Sequence, residues 1–225
     1  MKSAKIRNIA VSAMLIAVAF IATMITSSIK VQFLSLDIKD AVLSIVALLF
    51  GPVYGLISVA AVSCLEFVTI STTGWYGLVM NIFSSGTFVL VTGFIYKYKR
   101  SFSGAIIAAI CTVFSVTIVM CLANYFITPI YMDIMGLTPF LPPIEVLIPS
   151  LILPFNLSKS IINCALMLLL YKPFTTALKK CNLLQSKSDA EYKFNLKSAV
   201  LTVVSVLIII AVILYLILVL KLKIA

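Results

Sequence analysis

Long apolar stretches separated by short polar connections dominate this sequence. An α-helix rises about 1.5 Å per residue, so that about 20 apolar residues cross the hydrocarbon layer of a bilayer, which is roughly 30 Å thick. Inside that layer every backbone N–H and C=O needs a partner from the protein, and a helix supplies these partners within one segment. The sequence therefore predicts an all-α membrane protein with several spans.

The composition agrees with this class of protein. Of the 225 residues, 63% are hydrophobic and 11% are charged, and the mean hydropathy is +1.21, whereas a soluble domain has about half apolar and about a quarter charged residues. The net charge of +10 does not indicate nucleic acid, because the lysines lie at the ends of apolar stretches. There they are typical of topology signals and of contacts with anionic lipid headgroups. The bilayer is the expected partner.

Several kinds of chemistry are excluded by the residues themselves. The chain has no histidine, which excludes histidine-based metal sites, Ser-His-Asp triads and Cys-His dyads. Its five cysteines follow no metal or disulfide spacing and are expected to be packing residues. No G-x-x-x-x-G-K-[ST] loop is present, so any ATP hydrolysis belongs to partner proteins. No metal site is predicted.

The apolar stretches divide the chain into six helices and an additional C-terminal one. Gly51 and Pro52 separate the second helix from the third, and the segment from Thr128 to Pro143, with four prolines, is predicted to be a loop. The helices are expected at about 9–28, 41–50, 53–70, 77–96, 103–126, 154–171 and 198–220. Three regions follow: a six-helix bundle at 1–172, a basic linker at 173–197 and an additional transmembrane helix at 198–225.

The basic residues predict the orientation of the bundle. If the N-terminus is cytoplasmic, most of the 17 Lys and Arg residues lie on the inner side, as the positive-inside rule requires. The outer side then holds only Lys30, Lys39, Lys221 and Lys223. We therefore expect a cytoplasmic N-terminus and an outer side formed by the first loop, the turn before helix four and the proline-rich loop.

One charge falls within a predicted span. Asn156, Lys159 and Asn163 lie on one stripe of the sixth helix at about 100° per residue. With the helix starting near Pro154, Lys159 is close to the positive end of the helix dipole and needs an acceptor from elsewhere. A lysine at membrane depth is a candidate functional residue. The alternatives are that it snorkels to the interface or pairs with an acid for structural reasons.

Other polar and aromatic side chains converge on the outer side with this stripe. Amides, one cation and aromatic or methionine faces suit a planar heteroaromatic ligand that carries hydroxyl groups. Several of these residues also have a structural alternative: Glu66 as a partner of Lys159 or Lys39, Trp75 as an interfacial anchor, Asp37 and Asp40 as caps of the second helix, and Asn124 as a C-terminal cap. The group comprises Asp37, Asp40, Glu66, Trp75, Tyr76, Asn124, Tyr125, Asp133 and the turn from Asn156 to Lys159.

The first helix carries a row of small residues that includes Ala13 and Ala17. Small residues four apart allow another helix to approach closely. The spacing fits both packing inside the chain's own bundle and contact with a partner protein.

Four stretches of the chain resemble the riboflavin-binding S component of the bacterial energy-coupling factor (ECF) vitamin transporters. They are FLSLDIKDAVLSIVALLFGPVYG at 33–55, GLVMNIFSSGTF at 77–88, NYFITPIYM at 124–132 and IPSLILPFNLSKSIIN at 148–163. The resemblance covers about residues 6–172, and the six-helix S-component bundle of that family matches the first six predicted helices. Lys39 and Val42 stand where the family more usually has a small polar residue and a proline, and residues 172–225 have no counterpart in it.

The resemblance implies a function and a set of site residues. Riboflavin would be captured from outside as a substrate, with no cofactor, by a multi-pass protein of the bacterial cell membrane. Ala13 and Ala17 would dock on a shared transmembrane coupling subunit that is attached to two ATPases. Asn124, Asn156 and Lys159 would bind the ligand, with Leu36, Asp37 and Ile38 closing over it. Glu66 and Asn81 complete the predicted substrate-binding set, in addition to the residues that the resemblance implies.

Other functions stay open at this point. The same scaffold suits another vitamin if Lys159 meets a carboxylate, as in folate or pantothenate. A membrane-embedded enzyme acting on lipids needs paired acids or a nucleophile and base, and the acids near membrane depth are not at metal-ligand spacing. A structural subunit without a ligand would use the polar stripe to hold helices together.

Overall fold

The computed structural model describes residues 2–99, 102–136, 139, 141–181, 196–221 and 223–224. Within them the chain forms seven helices, and five are long and apolar enough to cross a membrane. This confirms an all-α membrane protein. The sixth helix, α6, combines Ile144–Leu147, a π-helical turn at Ile148–Ile152 and Leu153–Lys180. The others are α1 (Lys2–Thr26), α2 (Lys39–Phe50), α3 (Pro52–Thr69), α4 (Trp75–Tyr98), α5 (Phe102–Ile134) and α7 (Leu196–Leu218).

The short helix α2 lies at the centre of the bundle. Every residue from Lys39 to Leu48 is buried, and the helix packs against α1, α3, α4 and α6. Its 12 residues span about 18 Å, which is less than the thickness of the hydrocarbon layer. A helix that is apolar on all sides is stable when protein surrounds it. Its neighbours therefore shield α2 from lipid along its length.

A tight corner joins α2 to α3. Gly51 has a φ of +99°, a conformation that favours glycine, and Pro52 then occupies the first turn of α3. Helix α4 passes close to this corner at Gly93, where an added Cβ would lie 3.1 Å from Pro52 and 3.2 Å from Ala47. The two glycines thus allow α2, α3 and α4 to pack closely at this end.

The first loop forms a β-hairpin. Strand β1 (Ile29–Val31) pairs antiparallel with β2 (Leu34–Ser35), and Gln32 in the turn has a φ of 55°. A third strand, β3 (Lys223–Ile224), pairs with the other edge of β1, with Ile29 opposite Ile224. The C-terminal end of α7 therefore lies at the same end of the bundle as the hairpin. We call this end the hairpin side.

Part of the predicted proline-rich loop is helical, so that prediction was wrong from Thr128 to Ile134. Helix α5 continues through Pro129 to Ile134. Proline removes one backbone donor, but membrane helices tolerate it where neighbouring groups compensate. Here Tyr131 stacks on Tyr76 with ring centroids 4.2 Å apart, and Met132 is buried in the apolar cluster beneath the hairpin. These contacts stabilise the additional turns.

Helix α6 is longer than the sequence predicted at both ends. It begins at Ile144 rather than near Pro154, and it continues to Lys180 rather than Tyr171. Pro154 follows the π-helical turn, where the helix is already irregular. Lys159 therefore lies in the interior of α6, and the expectation that it lies near the positive end of the dipole was wrong. The predicted boundary at residue 172 falls inside α6, and residues 182–195 of the basic linker lie outside the described part of the chain.

The additional helix α7 packs along α6. Leu216 is fully buried, and Val212 and Ile213 contact the same apolar cluster as Leu36 of the hairpin. The C-terminal segment therefore makes two contacts with the rest of the fold, one through α7 and one through β3.

The pairing of β3 with β1 predicts that removal of residues 221–225 exposes the outer edge of the hairpin. Amide exchange of Ile29–Val31 should then accelerate by up to about tenfold, because each backbone hydrogen bond contributes about 0.5 to 1.5 kcal/mol. Exchange mass spectrometry on the detergent-solubilised protein measures this effect. Lys221→Ala in the full chain is the control for the lost charge, and unchanged exchange in the truncated chain would contradict the pairing.

Candidate functional site

A cavity of about 410 Å³ opens on the hairpin side, within the range of roughly 300 to 1,000 Å³ that is usual for small-molecule sites. The hairpin, the end of α1, and α3, α4 and α6 form its wall. Asp37, Glu66, Asn81, Asn156 and Lys159 of the predicted site all lie on this wall. Residues that are distant in the sequence thus surround one space, including Lys39 of α2.

Four charged side chains form a continuous series along the cavity, which we call the ion chain. Lys159 Nζ of α6 lies 2.8 Å from Asp37 Oδ2, and Lys39 Nζ lies 3.8 Å from the same oxygen. Lys39 Nζ also lies 2.6 Å from Glu66 Oε2 of α3. Asn81 of α4 donates a hydrogen bond of 2.7 Å to Glu66 Oε2. The ion chain comprises Lys159, Asp37, Lys39 and Glu66.

The ion chain is electrically balanced and almost fully buried. The exposed fraction of these side chains is 1% for Lys39 and 10% for Lys159, with the two acids between these values. A buried charge without a partner is strongly unfavourable, so that each lysine requires an acid here. The observed pair of Glu66 with Lys39 is one of the structural roles considered from the sequence, and Lys159 is not a lone cation.

The pKa of Asp37, in the loop before α2, reflects two opposing effects. Burial raises the pKa of this carboxyl, but the positive charges of Lys159 and Lys39 lower it further than burial raises it. The net pKa lies below the ordinary value, and the group is therefore a carboxylate at neutral pH. Both of its contacts with lysine are ion pairs.

Asn163 joins α6 to the start of α2. Its Oδ1 accepts a hydrogen bond of 3.0 Å from the backbone N–H of Ala41, and its Nδ2 donates to the carbonyl oxygen of Asp37 at 2.9 Å. The first N–H groups of a helix lack partners within the helix, so a side chain from elsewhere must supply one. Asn163 does so for α2 and at the same time fixes the end of the first loop.

Asp40 is not the cap of α2, contrary to the structural role considered for it and for Asp37. The N-cap position is Ile38, and no side chain of α2 or its flanking residues caps the helix. Asp40 is buried in the first turn with 1% of its surface exposed. The capping acceptor instead comes from Asn163, which is distant in sequence.

Tyr76 is an aromatic residue of the cavity wall, and its hydroxyl group is hydrogen-bonded to Asn124. The Tyr76 hydroxyl lies 2.9 Å from the Thr128 hydroxyl and donates to Asn124 Oδ1 at 3.3 Å. Asn124 itself is fully buried in the interior of α5 and does not line the cavity. It is not a C-terminal cap, because α5 continues to Ile134. Trp75 is half exposed and meets Tyr76 edge-on at 6.4 Å.

Leu36 and Ile38 flank Asp37 but point away from the cavity. Both contact the apolar cluster that includes Leu216 of α7, and neither lies on the cavity wall. They hold the first loop against the bundle while Asp37 faces inward.

Ala13 and Ala17 are exposed on α1. Within the described part of the chain they do not pack inside the bundle, while Val11, Leu15 and Ala19 on the other face of α1 are buried. The small-residue row therefore faces outward, which favours contact with a partner protein over packing inside the chain's own bundle.

Several residues of the cavity wall were not singled out from the sequence. Lys39 was counted among the topology lysines and otherwise considered only as a possible structural partner of Glu66, and Ser63 and Ser84 were not considered. A usable signal was present in the helical spacing, because Ser63 and Glu66 on α3, and Asn81 and Ser84 on α4, are three residues apart and share a face. No local signal indicated that Lys39 turns inward.

Comparison with known proteins identifies relatives along most of the chain. The family described as "ECF transporter, substrate-specific component" matches residues 7–171. The riboflavin transporter RibU of Staphylococcus aureus (strain TCH60) is 34% identical over 170 residues, which cover 74% of this chain and 89% of that protein. The riboflavin transporter FmnP of Bacillus subtilis (strain 168) is 26% identical over 165 residues, covering 70% and 86%.

A solved structure has the same fold. It is described as the structure and mechanism of the S component of a bacterial ECF transporter, and it superposes with a TM-score of 0.63 at 31% identity. The match covers 78% of this chain and 99% of that chain. The family match ends at residue 171, before the end of α6 and before α7.

The contacts of Asn163 predict that Asn163→Leu destabilises the empty protein. The N–H of Ala41 and the carbonyl of Asp37 would lose their partner inside the bundle, at a cost of about 1 to 3 kcal/mol. A lower unfolding midpoint in detergent measures this cost. Thr117→Val is the matched control, since the Thr117 hydroxyl bonds only the Val113 carbonyl of its own helix. Equal effects of the two substitutions would contradict the capping role.

Proposed function

The chain belongs to the substrate-specific components of the ECF transporters, and on that premise we propose that it captures riboflavin outside the cell for ATP-driven import. It is a multi-pass membrane protein and a transporter subunit rather than an enzyme. Its family works with further ECF transporter components and binds a vitamin substrate. Our proposal concerns the identity of the vitamin, the residues that bind it, the subunit composition of the transporter and the orientation of the bundle in the membrane.

The observation that supports riboflavin most directly is the combination of side chains on the cavity wall. Riboflavin has a flat heteroaromatic ring system, with hydrogen-bonding groups along one edge, and a chain of hydroxyl groups. Asn156 and Lys159 lie on the wall beside the rings of Tyr76 and Phe155. In the proposed complex the two polar side chains bind the edge of the ring, and the two aromatic side chains contact its face.

The remaining site residues have supporting roles in this proposal. Glu66 and Asn81 accept and donate hydrogen bonds for the hydroxyl chain, together with the nearby Ser63 and Ser84. Asn124 acts through Tyr76, which it hydrogen-bonds. Leu36 and Ile38 hold the first loop closed so that Asp37 faces the ligand. Riboflavin is the substrate, and the proposal requires no cofactor.

The distribution of basic residues supports an outward-facing cavity. Lys5, Arg7, Lys97 and Lys99 lie at the end of the bundle opposite the hairpin side. By the positive-inside rule that end is cytoplasmic, together with the N-terminus. The cavity then opens to the outside, where the vitamin is captured.

The exposed row on α1 supports a docking role. Ala13 and Ala17 present little side-chain bulk, so a helix of a partner can approach the backbone closely. We propose that this row contacts the transmembrane coupling subunit, which is itself attached to two ATPase subunits. Because the chain has no phosphate-binding loop, the energy for transport comes from those subunits.

Riboflavin titration of the purified protein should give saturable quenching of flavin fluorescence. Asn156→Ala and Lys159→Ala should each weaken binding by roughly 5- to 150-fold, since the loss of a buried partner of a polar ligand group costs about 1 to 3 kcal/mol. Lys97→Ala is the matched control because Lys97 is exposed at the opposite end of the bundle. Competition with folate and pantothenate distinguishes riboflavin from the other vitamins. Absence of saturable flavin binding would reject the proposal.

Bulky substitutions on the α1 row should separate docking from capture. The double variant Ala13→Leu and Ala17→Leu is expected to lose co-purification with the coupling subunit, because the added side chains keep the partner helix at a distance. Flavin binding by the isolated chain should persist, since the row faces away from the cavity. Met14→Ala, a change on the neighbouring exposed surface, serves as the comparison. Co-purification that survives both leucines would reject this docking surface.

A further inference from the structure

Lys39 lies between two carboxylates and has hydrogen-bonding capacity in reserve. Its ammonium group has three donors, and one of them forms the 2.6 Å hydrogen bond to Glu66 Oε2. Asp37 Oδ2 is 3.8 Å away, close enough for an ion pair but too far for a good hydrogen bond. A movement of about 1 Å by either side chain would give a direct hydrogen bond between Lys39 and Asp37.

Asp37 is held on one side only. Its Oδ2 accepts a hydrogen bond from Lys159, whereas its Oδ1 is buried and has no hydrogen-bond partner among the described residues. Lys159 has two further donors, but a ligand that draws its ammonium group into the cavity lengthens the 2.8 Å contact with Asp37. A buried carboxylate that loses its cation is strongly unfavourable, and Asp37 therefore needs a second cation when the ligand binds.

Glu66 has a second hydrogen-bond donor besides Lys39. Asn81 Nδ2 donates to the same Oε2 atom at 2.7 Å, so that this oxygen keeps a donor if the lysine turns toward Asp37. The cavity wall thus contains a cation with spare donors, a carboxylate within reach and an amide that remains on the second carboxylate.

We propose that Lys39 is a positioning residue that takes over the Asp37 carboxylate when the ligand engages Lys159. After the exchange Lys39 lies between both carboxylates, Lys159 is hydrogen-bonded to the ligand, and Asp37 stays directed into the cavity without holding Lys159 back. This inference rests on the proposed function, because it requires a ligand that binds Lys159. The competing explanation is that Lys39 serves only to neutralise Glu66.

A double-mutant cycle between positions 37 and 39 separates the two explanations. Riboflavin affinity is measured on the full chain in detergent for the wild type, Lys39→Met, Asp37→Asn and the double variant. Lys39→Met should weaken binding by about tenfold or more in the native background, because Asp37 is left unpaired in the complex. In the Asp37→Asn background, where no carboxylate is released, the same substitution should change affinity by less than about threefold.

The unfolding midpoint of the empty protein provides a second readout. If Lys39 serves only to neutralise Glu66, it does so with and without ligand. Lys39→Met then lowers the unfolding midpoint of the empty protein equally with Asp and with Asn at position 37. Lys30→Met is the matched control, since Lys30 lines the same cavity and no carboxylate among the described residues pairs with it. Its effect on affinity should be the same whether position 37 is Asp or Asn. If Lys39→Met does not fold, Lys39→Gln retains a donor to Glu66 without the charge and replaces it in the cycle.

The outcomes are distinct. If Lys39→Met weakens riboflavin binding equally with Asp and with Asn at position 37, or has no effect with Asp, the partner exchange is wrong. The proposed function is unaffected as long as the wild type binds flavin. Failure of the wild type to bind flavin overturns the proposed function and this inference together. A loss of affinity that depends on Asp37 supports the exchange.

Discussion

The fold depends on the requirement that every charge inside an apolar bundle has a partner. Two lysines and two acids meet this requirement together, and they come from the first loop, α2, α3 and α6. Because these groups are almost fully buried, the cost of separating them is far larger than for a surface ion pair. The ion chain therefore links α3 and α6 to the first loop and the start of α2 directly beside the cavity. The polar groups that shape the site are also the groups that hold the helices in register.

The helices of this protein were largely predictable from its sequence, because a bilayer leaves few ways to satisfy a backbone. The all-α class, the break at Gly51 and the stripe on α6 all follow from local patterns. The C-terminal end of α5 and the start of α6 could not be predicted in this way. Proline usually indicates a helix boundary, whereas Pro129 and Pro154 lie within helices here. Packing of Tyr131 on Tyr76 stabilises α5 beyond Pro129, and a π-helical turn precedes Pro154 within α6. Both effects depend on the surroundings of the segment and leave no local signature.

The candidate site was predictable in part for the same reason. Lys159 attracts attention by itself, as a cation at membrane depth, and the resemblance to a known family extended this to Asp37, Asn156 and their neighbours. The partner of Lys159 lies 122 positions earlier in the sequence, and no periodicity connects the two. Lys39 illustrates the limit most clearly. Its place near a loop is typical of a surface lysine, and only the tertiary structure shows that it is among the most buried side chains.

The pairing of β3 with β1 has a consequence for biosynthesis. Strand β1 comes early in translation, whereas its partner at 223–224 follows almost the entire bundle. Contacts between such distant positions form late, because the intervening chain must be ordered first. During membrane insertion the hairpin edge beside the cavity is consequently unpaired until the ribosome has synthesised residue 224.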